Sequence, residues 1–403
     1  MPNHLIYNNV KALFLIVSLL LLFTLSFWQG AHSLFVILLA LLAIIYQFYL
    51  TAKSTTSKWV LLFGSPLLVL ILGLFNSDYI DIGVNEITRK LSLVIFPLLS
   101  LSKVSRVWVD RWNLIQKTIV YGCLFGVVLS YMTAIVDFYF KANLNLLYYT
   151  RLSFSVHTTF FSMYLYLAML IVWYNKNLFG KYVRSFLLFA FSITTFMLLS
   201  RAAILCYGIT LLIIFFSEGL SKSWSLKTWL KITVILFIVL SLIFQLPVVR
   251  NRVVKPFKAL SQPSELESSS TNIRVMMWET AVGLIKEKPF FGHGSGATSK
   301  LIIDTNKKEE KQALVEKKLN NAHNQYLNDW ISNGVLGFLV IPLVLLVPLF
   351  YKRNFNNKVY RFFIFMMMIN MLFDSIWNSQ AGVIFYSFMN VLLIVNNGAK
   401  RES

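Results

Sequence analysis

The sequence predicts an all-α polytopic membrane protein of about twelve transmembrane helices, with one large loop between the ninth and tenth. Three observations carry this. Of 403 residues, 57% are hydrophobic and only 13% are charged, and the mean hydropathy is +0.66, whereas soluble domains average about 25% charged residues. Apolar runs recur at the length of about 20 residues that a helix needs to cross the hydrocarbon core. A single polar stretch, 248–324, interrupts them, and a loop that long between apolar elements is uncommon unless it carries function.

The first run, 12–28, follows a short polar start and Lys11. It has the look of a signal peptide, but no small-residue cleavage pattern clearly follows and another long apolar run comes at once, so it reads as a span. Further spans are placed near 34–50, 59–75, 87–101, 114–138, 154–174, 183–199, 202–217 and 229–247. After the loop come 326–350, 359–373 and 380–396. The chain therefore divides into 1–247 with nine spans, a loop at 248–325, and 326–403 with three spans and a short tail.

With the N-terminus taken as cytoplasmic, the inside connections hold Lys53, Lys58, Lys103, Arg106, Arg111, Lys176, Lys181, Arg184, Lys222, Lys227, Lys352, Arg353, Lys358, Lys400 and Arg401. The short outside ones hold Arg89, Lys90, Lys141, Arg151 and Arg201. The excess of inside cations puts both termini in the cytoplasm and the long loop on the outer face, which in a bacterial inner membrane is the periplasm. Long outer segments cross regardless of charge.

The formal net charge of +20 is accounted for by these loop cations and anionic headgroups, so a nucleic-acid partner is not expected. Cys123 and Cys206 lie in apolar runs without partner spacing, which supports neither a disulfide framework nor a zinc site. Asp78, Asp81 and Glu86 share one outer loop, but their spacing matches no metal loop. Neither metal nor cofactor is expected.

Within the loop, Ser268 to Asn272 can cap a helix from about Ile273 to Lys286, which Pro289 stops. Phe290 to Gly296 reads as a turn. Lys307 to Lys318, with interleaved glutamates, reads as a solvated helix.

Polar groups at the edges of spans are costly and therefore informative. Arg201 sits in a tight outer turn, either snorkelling to headgroups or pointing into an outward cavity. Arg274 opens the loop helix, where the macrodipole disfavours a cation; it is either solvated or wanted there by an anionic ligand. His323 stands at the start of a span among Asn320, Asn321, Asn324 and Gln325. Its ordinary titration range suits a general base, although a capping or interfacial histidine is the competing reading. His4, His32, His157 and His293 have weaker surroundings. Glycines 292, 294 and 296 form either an anion-binding nest or only a turn.

His323-Asn324, nine residues, then Gly334-Val335-Leu336-Gly337 resembles the His-Asn to Gly-x-x-Gly signature of bacterial O-antigen ligases. Arg201 before a span, Arg274 followed by Trp278, and the layout of spans and loop resemble that family too. The superfamily also contains O-antigen polymerases and protein O-oligosaccharyltransferases. The glycine pair and the short tail favour the ligase branch. The arginine-to-glycine spacing often seen in polymerases is absent, since Leu212 and Ile285 occupy those places.

The resemblance implies an undecaprenyl-diphosphate-linked glycan donor and a lipid A-core acceptor hydroxyl. It further implies metal-independent, inverting transfer, with His323 as general base and Arg201 and Arg274 holding the diphosphate. Arg151, near Tyr148 and Tyr149, is a further candidate for the diphosphate or sugar, or an ordinary interfacial anchor. Asn324, Gly334 and Gly337 are motif positions. A lipid-linked sugar transporter is the competing class; its cations should line a path near the midplane, whereas these candidates collect on one side.

Overall fold

Long apolar runs in lipid must satisfy their own backbone, and a helix does so within one segment. The computed structural model accordingly describes an all-α membrane protein. It covers residues 2–49, 58–141, 152–221, 270–317 and 319–399, without a strand among them. In chain order the helices are α1 (Pro2–Thr24), α2 (His32–Tyr49), α3 (Lys58–Leu74), α4 (Ile80–Lys90), α5 (Ser92–Leu101), α6 (Arg106–Asp110), α7 (Trp112–Lys141), α8 (Thr158–Tyr174), α9 (Lys181–Met197) and α10 (Arg201–Ser221). After the residues outside the description come α11 (Ser270–Glu287), α12 (Ala297–Lys308), α13 (Gln312–Glu316), α14 (Gln325–Leu346), α15 (Lys352–Asn356), α16 (Lys358–Phe373) and α17 (Gln380–Ala399).

Eleven of the expected spans coincide with these helices, and the twelfth, 229–247, lies outside the described residues. By length and composition alone, five described helices suffice to cross a membrane, or six with the bent pair 80–101 and 103–110 counted as one. The fourth expected span is part of a longer helical stretch, because Leu91 between α4 and α5 keeps right-handed helical dihedrals. The chain turns by 84° only after Leu101. Arg89 and Lys90 thus lie on a helix rather than in an outer loop.

α17 and α8 are almost wholly enclosed, while α1, α2, α3 and α7 expose Leu20, Leu41, Leu72 and Met132 outward, as lipid-facing helices do. Phe96 stacks on Phe388 at 4.5 Å, and Trp108 Nε1 donates to Ser18 Oγ at 2.9 Å. Buried indole N–H groups usually find such a partner.

α14 is broken. Asn333 and Gly334 leave helical dihedrals, Gly334 with φ +60° and ψ −151°, a conformation essentially restricted to glycine. A Cβ on Gly334 would stand 2.0 Å from Phe290 O, and one on Gly337 2.1 Å from Asp329 O. The Gly-x-x-Gly pair is therefore the hinge that sets the first half of α14 at an angle to the rest. Above that half, Ala281, Leu284, Ile285, Ile302, Ala322 and Ile331 form a small apolar core.

The expected solvated helix at 307–318 is replaced by two pieces, α12 and α13. Glu310 between them takes φ +52°, and the Lys311 N–H reaches back to Asn306 O at 3.0 Å, which ends the first helix.

Candidate active site

Sequence-distant helix ends converge on one cavity. It is lined by His157, Thr158 and Thr159 at the start of α8, by Leu199 to Ala202 around the start of α10, by Arg274 in α11, and by Asn370, Phe373 and Asp374 at the end of α16. α9 closes with the Leu198 N–H on Thr194 O, and Leu199 then takes φ +49°. This compact reversal starts α10 at Arg201 itself. His157 caps α8, its Nδ1 accepting the Thr159 N–H at 3.4 Å. The first turns of helices carry N–H groups without intrahelical acceptors and the positive end of the dipole. The half-buried guanidiniums of Arg201 and Arg274 add to that field.

Asp374 is the only carboxylate in the lining among the described residues. Its Oδ1 accepts from His323 Nδ1 at 3.2 Å and from the Ser375 N–H at 2.9 Å. Burial alone pushes the Asp374 carboxyl up, but the His323 hydrogen bond and the charges of His323, His157 and Arg274 outweigh it and hold it below the ordinary carboxylate value. An ionised carboxylate only accepts, so Nδ1 of His323 carries the proton in this bond, and in the neutral imidazole Nε2 is then the nitrogen with the lone pair. The contact has the geometry by which an aspartate orients a histidine in hydrolase triads.

His323 is held in a left-handed conformation, φ +44°, with its N–H on Asn321 Oδ1 at 2.9 Å. Asn324 follows as the cap of α14, its Oδ1 accepting the Leu327 N–H at 3.2 Å. Positive φ is uncommon outside glycine and gathers at functional sites. The asparagines flanking His323 are thus the local reason for its position.

Arg201 and Arg274 line the cavity together, and His323 joins through Asp374. Arg151 lies outside the described residues. Asp374 and Asn370 escaped the sequence reading, and His157, set aside there for its weaker surroundings, also lines the cavity. An acidic residue directly after an apolar span is the signal that could have pointed to Asp374, since such residues are rare and usually functional.

The glycine turn is a packing device and not an anion nest. Gly292, Gly294 and Gly296 all have positive φ. However, the N–H groups of His293, Gly294 and Ser295 donate to Ile331 O, Ser332 O and Gly73 O at 2.8, 2.8 and 3.1 Å. Ser295 Oγ donates to Leu70 O at 2.7 Å. The turn is wedged between α3 and the break in α14, and a Cβ on Gly294 would meet Ser77 Cα at 2.4 Å.

Fold and cavity together define a multi-pass helical membrane protein with a cationic site gathered at the ends of its helices. Residues 186–342 match the family model described as O-antigen ligase, so that segment is similar to the O-antigen ligase family. The segment contains Arg201, Arg274, His323, Asn324, Gly334 and Gly337, while His157 and Asp374 flank it. An uncharacterised protein of Haemophilus influenzae is 37% identical over 93 residues, 22% of this chain and 23% of that protein.

Proposed function

We propose that the protein is an O-antigen ligase that transfers O-antigen polysaccharide from undecaprenyl diphosphate to a sugar hydroxyl of lipid A-core. The reaction takes place at the periplasmic face of the inner membrane. The observation that carries this reading is the cavity that Arg201 and Arg274 share with Asp374, itself hydrogen-bonded to His323. The helix ends around it all belong to the side that the loop charges assign to the outside. The loop at 248–325 then contributes Arg274 and His323, and Arg151 remains a proposed further contact to the diphosphate.

In the proposed step the acceptor oxygen attacks the anomeric carbon, and the bond from that carbon to the diphosphate oxygen breaks. The acceptor proton passes to His323 Nε2, and the diphosphate leaves with its growing charge met by Arg201 and Arg274. Guanidiniums suit this because they stay charged and bind phosphate oxygens bidentately. Attack opposite the diphosphate inverts the anomeric centre. General-base assistance is worth ~10²–10⁴ in rate, and stabilisation of developing charge is often as large. No nucleotide or metal takes part in this scheme.

The test uses purified protein in bilayers with lipid-linked O-antigen and rough lipopolysaccharide, with EDTA and without ATP. Polysaccharide on lipid A-core is the expected product. Lengthened lipid-linked donor would make the protein a polymerase, and transfer only to an added protein would make it an oligosaccharyltransferase. No product of any kind would favour a transporter of lipid-linked sugar.

A further inference from the structure

Gln325 is fully buried two residues after His323, at a depth where an amide must find partners on both sides. Its Nε2 donates to Asp329 Oδ1 at 3.0 Å. Its Oε1 accepts the main-chain N–H of Trp377 at 2.7 Å, and Trp377 lies three residues after Asp374. Two rungs therefore join the same pair of segments. The first is His323 to Asp374, half-open to the cavity; the second is Gln325 to Trp377, enclosed.

The enclosed rung is itself anchored. Asp329 Oδ1 also faces Lys90 Nζ at 3.5 Å, with side chains only 7% and 3% exposed. Beside it, Asn328 Nδ2 donates to Asn378 Oδ1 at 3.4 Å, and Arg89 Nη1 donates to Asn378 O at 3.2 Å. α4, the first half of α14 and the turn 376–378 are thus tied together directly behind the His323–Asp374 contact. The break at Gly334 frees that half of α14 from the direction of the remaining helix, so these bonds fix its angle.

We propose that Gln325, braced by Asp329 and Lys90, is a positioning residue that holds His323 against Asp374 and thereby fixes the proton on Nδ1. The proposal rests on the reading of His323 as general base for its catalytic consequence, and on the His323–Asp374 hydrogen bond with an ionised carboxylate for the tautomer. Chemistry supports the choice of side chain. An amide offers a donor and an acceptor at once, so it can bridge a carboxylate and an N–H without adding charge. A group that acts through orientation has large leverage, since a misplacement of about 1 Å can cost ~10²-fold in rate.

The test follows the ring ¹⁵N resonances of His323 in the full chain, reconstituted in lipid nanodiscs and labelled at histidine. Wild type is compared with Gln325→Met, which keeps the volume and loses both bonds, and with Gln325→Asn, which folds with less disturbance but is too short to span both partners. In wild type, His323 reports a single Nδ1–H tautomer; in either variant it becomes a mixture, while His157 stays unchanged. In transfer assays kcat falls about 10- to 100-fold with KM for the lipid-linked donor within twofold. Adding Gln325→Met to Asp374→Asn then lowers kcat less than twofold further. An unmoved His323 signal in a folded variant overturns the proposal whatever the activity, and so does an equal loss of kcat in both backgrounds. Wild-type protein without any transferase activity would instead sink the ligase reading and leave the resonance to decide the role of Gln325.

Discussion

In the glycine turn, the N–H groups of His293, Gly294 and Ser295 each end on a main-chain carbonyl; around Arg201, helix starts and guanidiniums line open space. Both regions carry the parts of an anion site, including positive φ at Gly292, Gly294 and Gly296 in one and at Leu199 and His323 in the other. What separates them is the setting: the turn is packed against α3 and α14, whereas Arg201 and Arg274 line a cavity. A packed turn leaves no room for a ligand, and a lined cavity can admit one.

Substitutions should separate the two regions by the property they change. The largest effect is expected at His323, where His323→Ala should lower kcat ~10²–10⁴-fold with little change in melting temperature. Arg201→Gln and Arg274→Gln should each cost about 10²–10³-fold in kcat, the scale of one donor removed from developing charge. Lysine should restore only part of this, because it lacks the bidentate fork. Gly334→Ala, on the scaffold side, should leave the chemistry of surviving protein intact but destabilise it by about 1–3 kcal/mol, the cost of one strained backbone position. Thermal unfolding in detergent reads that difference. An activity loss in Gly334→Ala without a stability loss would blur the distinction.

The smallest effect concerns pH. The Asp374 carboxyl is held below its ordinary value in the folded protein, so the unfolded chain takes up that proton first as pH falls. Its stabilising contribution is complete above the ordinary range, about pH 3.9, and is lost as pH drops through the lowered folded value. The melting difference between wild type and Asp374→Asn should therefore be constant near neutrality and shrink only in strong acid. A difference that grows with acid would contradict the assigned charge state.

Much of the fold was legible because apolar length sets a helix in lipid. The starts of α10 and α14 fell within a residue of expectation, since Arg201 and Asn324 mark abrupt changes in polarity. Arg201, Arg274 and His323 stood out as costly groups at helix edges, and a family motif held His323 and the hinge glycines. Asp374 was harder to see because its partner is 51 residues away and its own neighbours, Phe373 and Ser375, announce nothing. Lys90 was counted among loop charges, yet it is buried against Asp329. Sequence shows a charge but not the carboxylate that another helix brings to it. The glycine turn could not be told from a nest for the same reason, as its acceptors come from α3 and α14.

The most direct test of the account is binding of undecaprenyl diphosphate to the protein in nanodiscs, comparing wild type with folded Arg201→Gln, Arg274→Gln and Gly292→Ala. Each arginine variant should bind at least tenfold more weakly, equivalent to about 1.4 kcal/mol, while Gly292→Ala binds as wild type. Unchanged affinity in both arginine variants, or a loss confined to Gly292→Ala, would contradict the assignment of the diphosphate to the Arg201–Arg274 cavity.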